Sequence, residues 1–265
     1  KLKEQNARLE AEQTAYHREA SRLDSLRNIA ERYDGYGNSI RRVMEQKERV
    51  PGIQGVVADL IQVNKDYEIA IETALGGSIQ NIVTDNEQTA KMMIEFLKKN
   101  RYGRATFLPM SSISPRGEFT SKEALKEPGV VGIASELVSV PPQYQQITKF
   151  LLGRVLVVDN IDHAIAIGKK YRHSLRMVTT EGESLSPGGS MTGGTFRNNS
   201  NLLGRRREIE ELETKTDQLK QNLVEMQKSI EENRNQRNTL RDTIAGFQEE
   251  LRQKYIEQNT ARMNI

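Results

Sequence analysis

From Ile209 to Leu251 the chain carries a stripe spaced alternately by three and four residues. It runs Ile209, Leu212, Thr216, Leu219, Leu223, Met226, Ile230, Asn233, Arg237, Leu240, Ile244, Phe247 and Leu251. A two-in-seven stripe kept over about six heptads is narrower than the face of a helix lying on a globule, and it predicts a coiled coil. Asn233 and Arg237 interrupt the apolar seam, and such polar positions lower stability while fixing register. The first 33 residues also read as helix, with no Gly or Pro. Leu2, Leu9, Tyr16, Leu23 and Ala30 recur every seventh residue, while Leu26 and Tyr33 fill the alternate seam position in only part of the run. So weak a seam does not hold a lone helix in water. The economical partner is the C-terminal helix, returning antiparallel along the first.

Between these arms the pattern changes. Asp34-Gly35-Tyr36-Gly37-Asn38 breaks the first helix, Ser39 is placed as the N-cap of a short helix reaching about Arg49, and Val50-Pro51-Gly52 ends it. The middle holds most of the 19 glycines, all 7 prolines and several Val/Ile-rich runs. It also repeats itself. Pro51-Gly52-Ile53-Gln54-Gly55-Val56-Val57-Ala58-Asp59-Leu60 matches Pro128-Gly129-Val130-Val131-Gly132-Ile133-Ala134-Ser135-Glu136-Leu137 at an offset of 77, which also places Tyr67 on Tyr144 and Leu75-Gly76 on Leu152-Gly153. Beyond a small deletion, Asp85 aligns with Asp159, Ala90 with Ala164, and Arg104-Ala105-Thr106-Phe107 with Arg176-Met177-Val178-Thr179. Two copies without a third indicate a duplicated subdomain. Each copy reads as strand, helix, strand, helix, strand, with helices at Lys65–Leu75, Glu87–Asn100, Gln143–Leu152 and Ile161–Tyr171. The fold class is therefore α+β, duplicated, flanked by an antiparallel intramolecular coiled coil. The expected divisions are an N-terminal arm over 1–49 with a break near 34–38, subdomain I over 50–110, and a loop-like connector over 111–127. Subdomain II follows over 128–204 and a C-terminal arm over 205–265.

Composition narrows the possibilities. The 265 residues are 36% hydrophobic, 28% charged and 5% aromatic, lean for one compact globule and normal where much of the chain is exposed helix. With no cysteine there is no disulfide and no thiolate site, which suits a reducing compartment. No apolar run approaches the roughly 20 residues of a membrane span. The chain starts and stops inside helical patterns, so an excerpt of a longer protein is expected. The net charge of +3 is spread evenly, with 11 basic and 9 acidic residues in 1–50, 16 and 15 in 51–204, and 12 and 12 in 205–265. Nucleic-acid contact would therefore rest on local patches.

The segment Ser186-Pro187-Gly188-Gly189-Ser190-Met191-Thr192-Gly193-Gly194-Thr195 carries no charge and has no counterpart in the first copy. Glycine pairs suit a phosphate cradle, a flexible connector or a close approach of two backbones. The cradle is excluded: no Gly-x4-Gly-Lys-Ser/Thr string exists, and Gly168-Lys169-Lys170-Tyr171 is a poor approximation. Ser186 and Ser190 lack a Gly-x-Ser-x-Gly elbow. His163 and His173 are ten residues apart, the wrong spacing for a zinc pair on one helix, and His17 lies on the coil. Asp59, Asp85 and Asp159 recur beside strands as turn or cap residues. No catalytic or metal site is expected, and two readings of the segment stay open, a flexible surface loop and an exposed strand edge that pairs with another chain.

Together the Tyr-Asp-Gly-Tyr-Gly break, the duplicated core and the terminal glycine loop resemble the hinge, with adjoining coiled coil, of bacterial structural maintenance of chromosomes (SMC) proteins. The most specific matches are Gly103-Arg104-Ala105-Thr106-Phe107-Leu108-Pro109, Leu152-Gly153-Arg154-Val155-Leu156-Val157-Val158-Asp159, and Pro187 through Gly194. The resemblance implies a homodimer with Gly188, Gly189, Gly193 and Gly194 at the interface. It also implies DNA binding by basic residues near the hinge–coil junction, a cytoplasmic, nucleoid-associated protein, and no membrane partner. The family's ATP- and Mg-dependent head, and the regions that kleisin-type subunits contact, would lie outside this chain, so no cofactor and no enzymatic activity are expected of it.

Three acid-poor stretches are candidates for DNA contact. Lys98, Lys99, Arg101, Arg104 and Arg116 lie between Glu95 and Glu118; Lys169, Lys170, Arg172 and Arg176 form a second group; Arg197 with Arg205, Arg206 and Arg207 forms the third, favoured by its position at the junction. Such side chains contact phosphates without reading sequence. The expected binding is weak, salt-sensitive and sequence-independent, mainly to single strands or to ends accessible to the junction. A different class of function, a coiled-coil scaffold whose globule binds a protein or small ligand, fits the same pattern without dimerisation.

Overall fold

The computed structural model describes residues 2–195 and 201–263. They form two compact units, residues 1–25 with 211–265 and residues 26–210.

The first unit is the helix pair. Helix α1 spans Leu2–Glu31 and α8 spans Leu202–Met263. Lys215 Nζ lies 3.1 Å from Glu19 Oε1, and Asn233 Nδ2 donates to Gln5 Oε1 at 3.1 Å, so the two segments run antiparallel. The seam positions from Leu212 to Asn233 are buried or half-buried, whereas Leu240, Ile244, Phe247 and Leu251 are exposed. The change falls just beyond Asn233, which meets Gln5 in the first turns of α1. The weakness of the first seam also has a structural reason. Its alternate positions are Gln5, Glu12 and Glu19, and two of these three meet a polar partner on α8. The Lys215 ammonium beside Glu19 holds its carboxyl below the ordinary value.

The second unit is built twice. In copy one, β1 (Ile53–Val56) pairs antiparallel with β3 (Ile82–Thr84), which pairs parallel with β4 (Phe107–Pro109). In copy two, β5 (Val130–Ile133) pairs antiparallel with β7 (Val155–Val158), which pairs parallel with β8 (Arg176–Thr179). The ladders match in detail: each first strand has a bulge just before its glycine, Gly55 opposite Val83 and Gly132 opposite Val157. Helices also correspond. Helices α4 (Glu68–Leu75) and α6 (Gln145–Leu152) follow the short strands β2 (Gln62–Val63) and β6 (Val138–Ser139). Helices α5 (Glu87–Asn100) and α7 (Ile161–Lys170) follow β3 and β7. Asn86 caps α5 by accepting from Thr89 N–H at 3.0 Å, and Asn160 caps α7 by accepting from His163 N–H at 2.9 Å. Strands β2 and β6 pair with each other, Gln62 facing Ser139, its own counterpart in the repeat. The duplication therefore behaves as an internal two-fold.

The core follows that symmetry. A shared cluster joins the copies through Ile71, Ala74 and Leu75 of α4 and Ile147 and Leu152 of α6, and it takes in Leu202 and Leu203 at the start of α8. Each sheet has a further cluster, with Met93 and Leu97 of α5 on one and Ala164 and Ile167 of α7 on the other.

Four local expectations change. The final strands align two residues away from the sequence match, because Ile82 pairs with Phe107 and its counterpart Leu156 pairs with Met177. Ser39 does not cap a helix: Gly37 precedes α2 (Asn38–Met44), and Ser39 Oγ donates to Arg104 O at 2.6 Å. Helix α2 does not extend the arm. It buries Ile40, Val43 and Met44 on copy one. Nor is the connector only a loop, since Phe119 and Ala124 are buried on copy two and Lys122–Lys126 form a 3-10 turn. Each copy thus begins with a short helical segment packed under its sheet, too brief to show periodicity.

Candidate functional site

Copy two continues where copy one stops. Strand β8 turns through Gly182, whose φ is +99°, into β9 (Ser184–Leu185), and the Pro187–Gly189 turn leads to β10 (Met191–Thr192). The sheet order is β10-β9-β8-β7-β5, against β1-β3-β4 in copy one. Both residues of β10 are exposed, Met191 by 50%. The turn is held by Ser186 N–H donating to Ser190 O at 2.9 Å and Gly189 N–H donating to Ser186 O at 3.0 Å. It is also tied to the preceding loop by Gly188 N–H donating to His173 O at 2.8 Å. Residues facing one another across an antiparallel pair alternate between bonded and non-bonded. With Ser186 and Ser190 bonded, Met191 opposite Leu185 falls in a non-bonded pair. Its amide N–H and carbonyl therefore point away from β9, onto the open edge.

The four glycines do different things. Gly188, Gly189 and Gly194 have φ of +94°, +96° and +130°, conformations that side chains oppose, and open space surrounds Gly188 and Gly194. At Gly193 the backbone is ordinary, but an added Cβ would come within 3.0 Å of Glu183 Cγ. Part of the glycine requirement is thus set inside the chain, before any partner arrives. The complementary gap is in copy one. Strand β4 occupies the place of β8 with no strand beyond it among the described residues; the backbone of Phe107 faces away from β3, whereas Pro109 has no N–H and its carbonyl accepts from Ser112 and Ile113. The sequence reading named the four glycines and not the edge residues Met191 and Phe107, for which the available signal was a segment present in only one copy.

The basic residues divide by what they touch. Lys98 and Lys99 are exposed in the last turn of α5, and exposed Arg101 ends it at φ +55°. Arg205, Arg206 and Arg207 instead tie the first turns of α8 to their own unit, residues 26–210. Arg205 donates to Asp34 O at 2.7 Å; Arg206 bonds Glu210 at 3.1 Å, Asp59 O, and Ile61 O at 3.3 Å; Arg207 pairs with Glu68. The side chains of Arg206 and Arg207 are only 26% and 24% exposed. Their phosphate-binding capacity is therefore largely committed to the chain itself. Arg197 lies outside the described residues. In the second group Lys170 pairs with Glu127, and Arg176 donates to Ala74 O at 2.7 Å.

Asp85 and Asp159 sit in bends ahead of α5 and α7, whereas Asp59 lies in the short helix Val57–Leu60 and not in the expected turn. Asp85 accepts from Thr89 Oγ1 at 2.6 Å, Asp159 lies 2.7 Å from His163 Nδ1, and Asp59 accepts from Tyr36 Oη at 3.0 Å. Among the described residues no group of three His, Asp or Glu could hold a metal. None of the described helices is long and apolar enough to cross a membrane.

Known proteins share this architecture. The model of the SMC proteins flexible hinge domain matches residues 50–168. The Chromosome partition protein Smc of Bacillus subtilis is 42% identical over 212 residues, and that of Lactiplantibacillus plantarum 39% over 206, covering 76% and 77% of this chain. The chain spans only 18% and 17% of their lengths. Among solved structures, an asymmetric dimer of the Geobacillus stearothermophilus SMC hinge domain superposes with a TM-score of 0.81 at 37% identity, covering 86% of this chain and 93% of that one. The Pyrococcus furiosus SMC hinge domain gives 0.51 at 32% identity, covering 70% and 92%. With a duplicated core, an added edge hairpin and an antiparallel helix pair, this chain belongs to the SMC hinge domain family.

Proposed function

We propose that this chain is the hinge by which two copies of a chromosome-partition protein join. The observation that carries the reading is the open β10 edge in copy two together with the missing hairpin beside β4 in copy one. A two-fold pairing would let each protomer's β10 extend the partner's shorter sheet, satisfying two edges at once. Gly188, Gly189, Gly193 and Gly194 shape that edge and keep it free of side chains. The Geobacillus hinge, named as an asymmetric dimer, supports dimerisation here.

The hinge would also touch DNA without reading sequence, through exposed Lys98, Lys99 and Arg101. Arg197 adds charge nearby in sequence to Arg205–Arg207, whose own contacts are structural. By family, ATP hydrolysis and contacts to kleisin-type subunits belong to other parts of a longer protein working on the nucleoid in the cytoplasm.

Met191→Pro isolates the pairing step. Proline removes the outward N–H at an edge position that β9 does not use, so the hairpin survives. Analytical ultracentrifugation should give the unaltered chain a mass near twice 30.1 kDa and the variant a mass near 30.1 kDa, with matching circular dichroism. A folded variant that stays fully dimeric would sink the assignment.

A further inference from the structure

Arg116 and Arg176, which belong to separate acid-poor stretches of the sequence, line one cavity of about 460 Å³ with Arg154. No Asp or Glu is among the described residues of its wall, which includes Thr120, Ser121 and Ser174. The Arg116 guanidinium is held over the Phe150 ring at 4.6 Å, which keeps its donors in place beside an aromatic wall. Arg176 spends one N–H on Ala74 O at 2.7 Å; a guanidinium has five donors, so others remain. Three permanent positive charges around one concavity, without a carboxylate between them, repel each other until an anion enters.

Nor does the fold require these residues. Phe150, Arg154 and Arg176 correspond in copy one to Thr73, Gly77 and Thr106, where the same sheet and helices form without any of them. The cluster belongs to copy two alone, as the edge hairpin does.

We propose that this cavity binds a small phosphate-bearing molecule, its phosphoryl oxygens taken by Arg116, Arg154 and Arg176. The fork of each guanidinium matches the spacing of two phosphoryl oxygens. Phe150 and the neighbouring hydroxyls give an organic portion an apolar wall and polar anchors, the composition usual for small-ligand sites. The cavity does not include Lys98, Lys99 or Arg101, and Pro187 is its only residue from the Pro187–Gly194 loop.

Titration calorimetry on the 265-residue chain tests this with two probes in phosphate-free, low-salt buffer: inorganic pyrophosphate and adenosine monophosphate. One saturable site per chain is expected for at least one probe. Tighter binding of the nucleotide assigns the Phe150 wall to the base; tighter binding of pyrophosphate confines recognition to the arginines. Arg116→Glu with Arg154→Glu should lower affinity about tenfold or more, while Lys220→Glu with Lys228→Glu, both exposed on α8, leaves it unchanged. If the arginine pair lowers the melting temperature, Arg154→Glu alone carries the same expectation, since Arg154 is exposed. Absence of saturable binding of both probes to the unaltered chain overturns the proposal, as does unchanged affinity in a folded arginine variant.

Discussion

Gly129 and Gly52 hold one position in the two copies, and an aspartate closes over each. Asp159 N–H donates to Gly129 O at 2.8 Å and Asp85 N–H to Gly52 O at 2.9 Å. A Cβ on Gly129 would collide with His163 Nδ1 and Asp159 Oδ1, and the residue also has a φ of +84°. Gly188 has a similar φ of +94° but nothing within 4 Å. Gly188→Ala should therefore cost about 1 kcal/mol, the backbone penalty alone, whereas Gly129→Ala should cost about 2–3 kcal/mol. Urea midpoints at constant m-value measure both; equal shifts would mean that crowding contributes nothing. Charge acts at the same scale through Glu72, whose carboxyl is pushed up to about 7 by burial and, second, by Glu68. A carboxyl that is harder to ionise folded than unfolded contributes stability at low pH, which is lost as pH rises from about 4.5 through about 7. Glu72 is half-buried, so solvent screening reduces the effect. Glu72→Gln should raise stability by about 1 kcal/mol at pH 8 and by almost nothing at pH 4, read from paired thermal melts.

At the scale of elements, the first turns of α8 are docked by side chains that reach backbone. Arg206 bonds Asp59 O and Ile61 O, fixing the stretch between α3 (Val57–Leu60) and β2, and its own Glu210 orients it at 3.1 Å. Arg206→Ala should cost about 2 kcal/mol in urea unfolding, against less than about 1 kcal/mol for Arg205→Ala, which loses one exposed bond to Asp34 O. Comparable losses would show that Arg206 is no more structural than its neighbour. This role was illegible in the sequence, because its partners are carbonyls that carry no residue signature. Patterns that depend on period were legible. Glu87–Asn100 appears at the boundaries read from the sequence, and the α8 seam is buried wherever α1 lies beside it. Two-residue strands such as β2, β6 and β10 contain too few positions to show alternation, so only the duplication and the glycines pointed to them. The last strand of the repeat slipped by two because a shift of two keeps every side chain on its own face. The arginine cavity stayed hidden for another reason: Arg116, Arg154 and Arg176 are far apart in sequence and meet only when copy two closes over the connector.

Across the whole molecule, the near balance of charge makes location decisive for DNA contact. The chain carries +3 over 265 residues, too little for its net field to hold DNA. Lys98, Lys99 and Arg101 are adjacent at the end of one helix, and three contacts to single-stranded phosphates correspond to a log–log salt slope near −2. Reversing all three to Glu takes the net charge from +3 to −3. A control must therefore change the total equally, and Lys220, Lys228 and Arg241, exposed along α8, provide one when reversed together. Fluorescence anisotropy with a labelled single-stranded oligonucleotide at several salt concentrations should show the α5 variant losing affinity and about two units of slope. The α8 control should lose little of either, and two oligonucleotides of equal length and different sequence should bind alike. If the two triple variants weaken binding equally, total charge governs and the α5 cluster is not a site. If neither does, DNA contact rests on other basic residues of this chain.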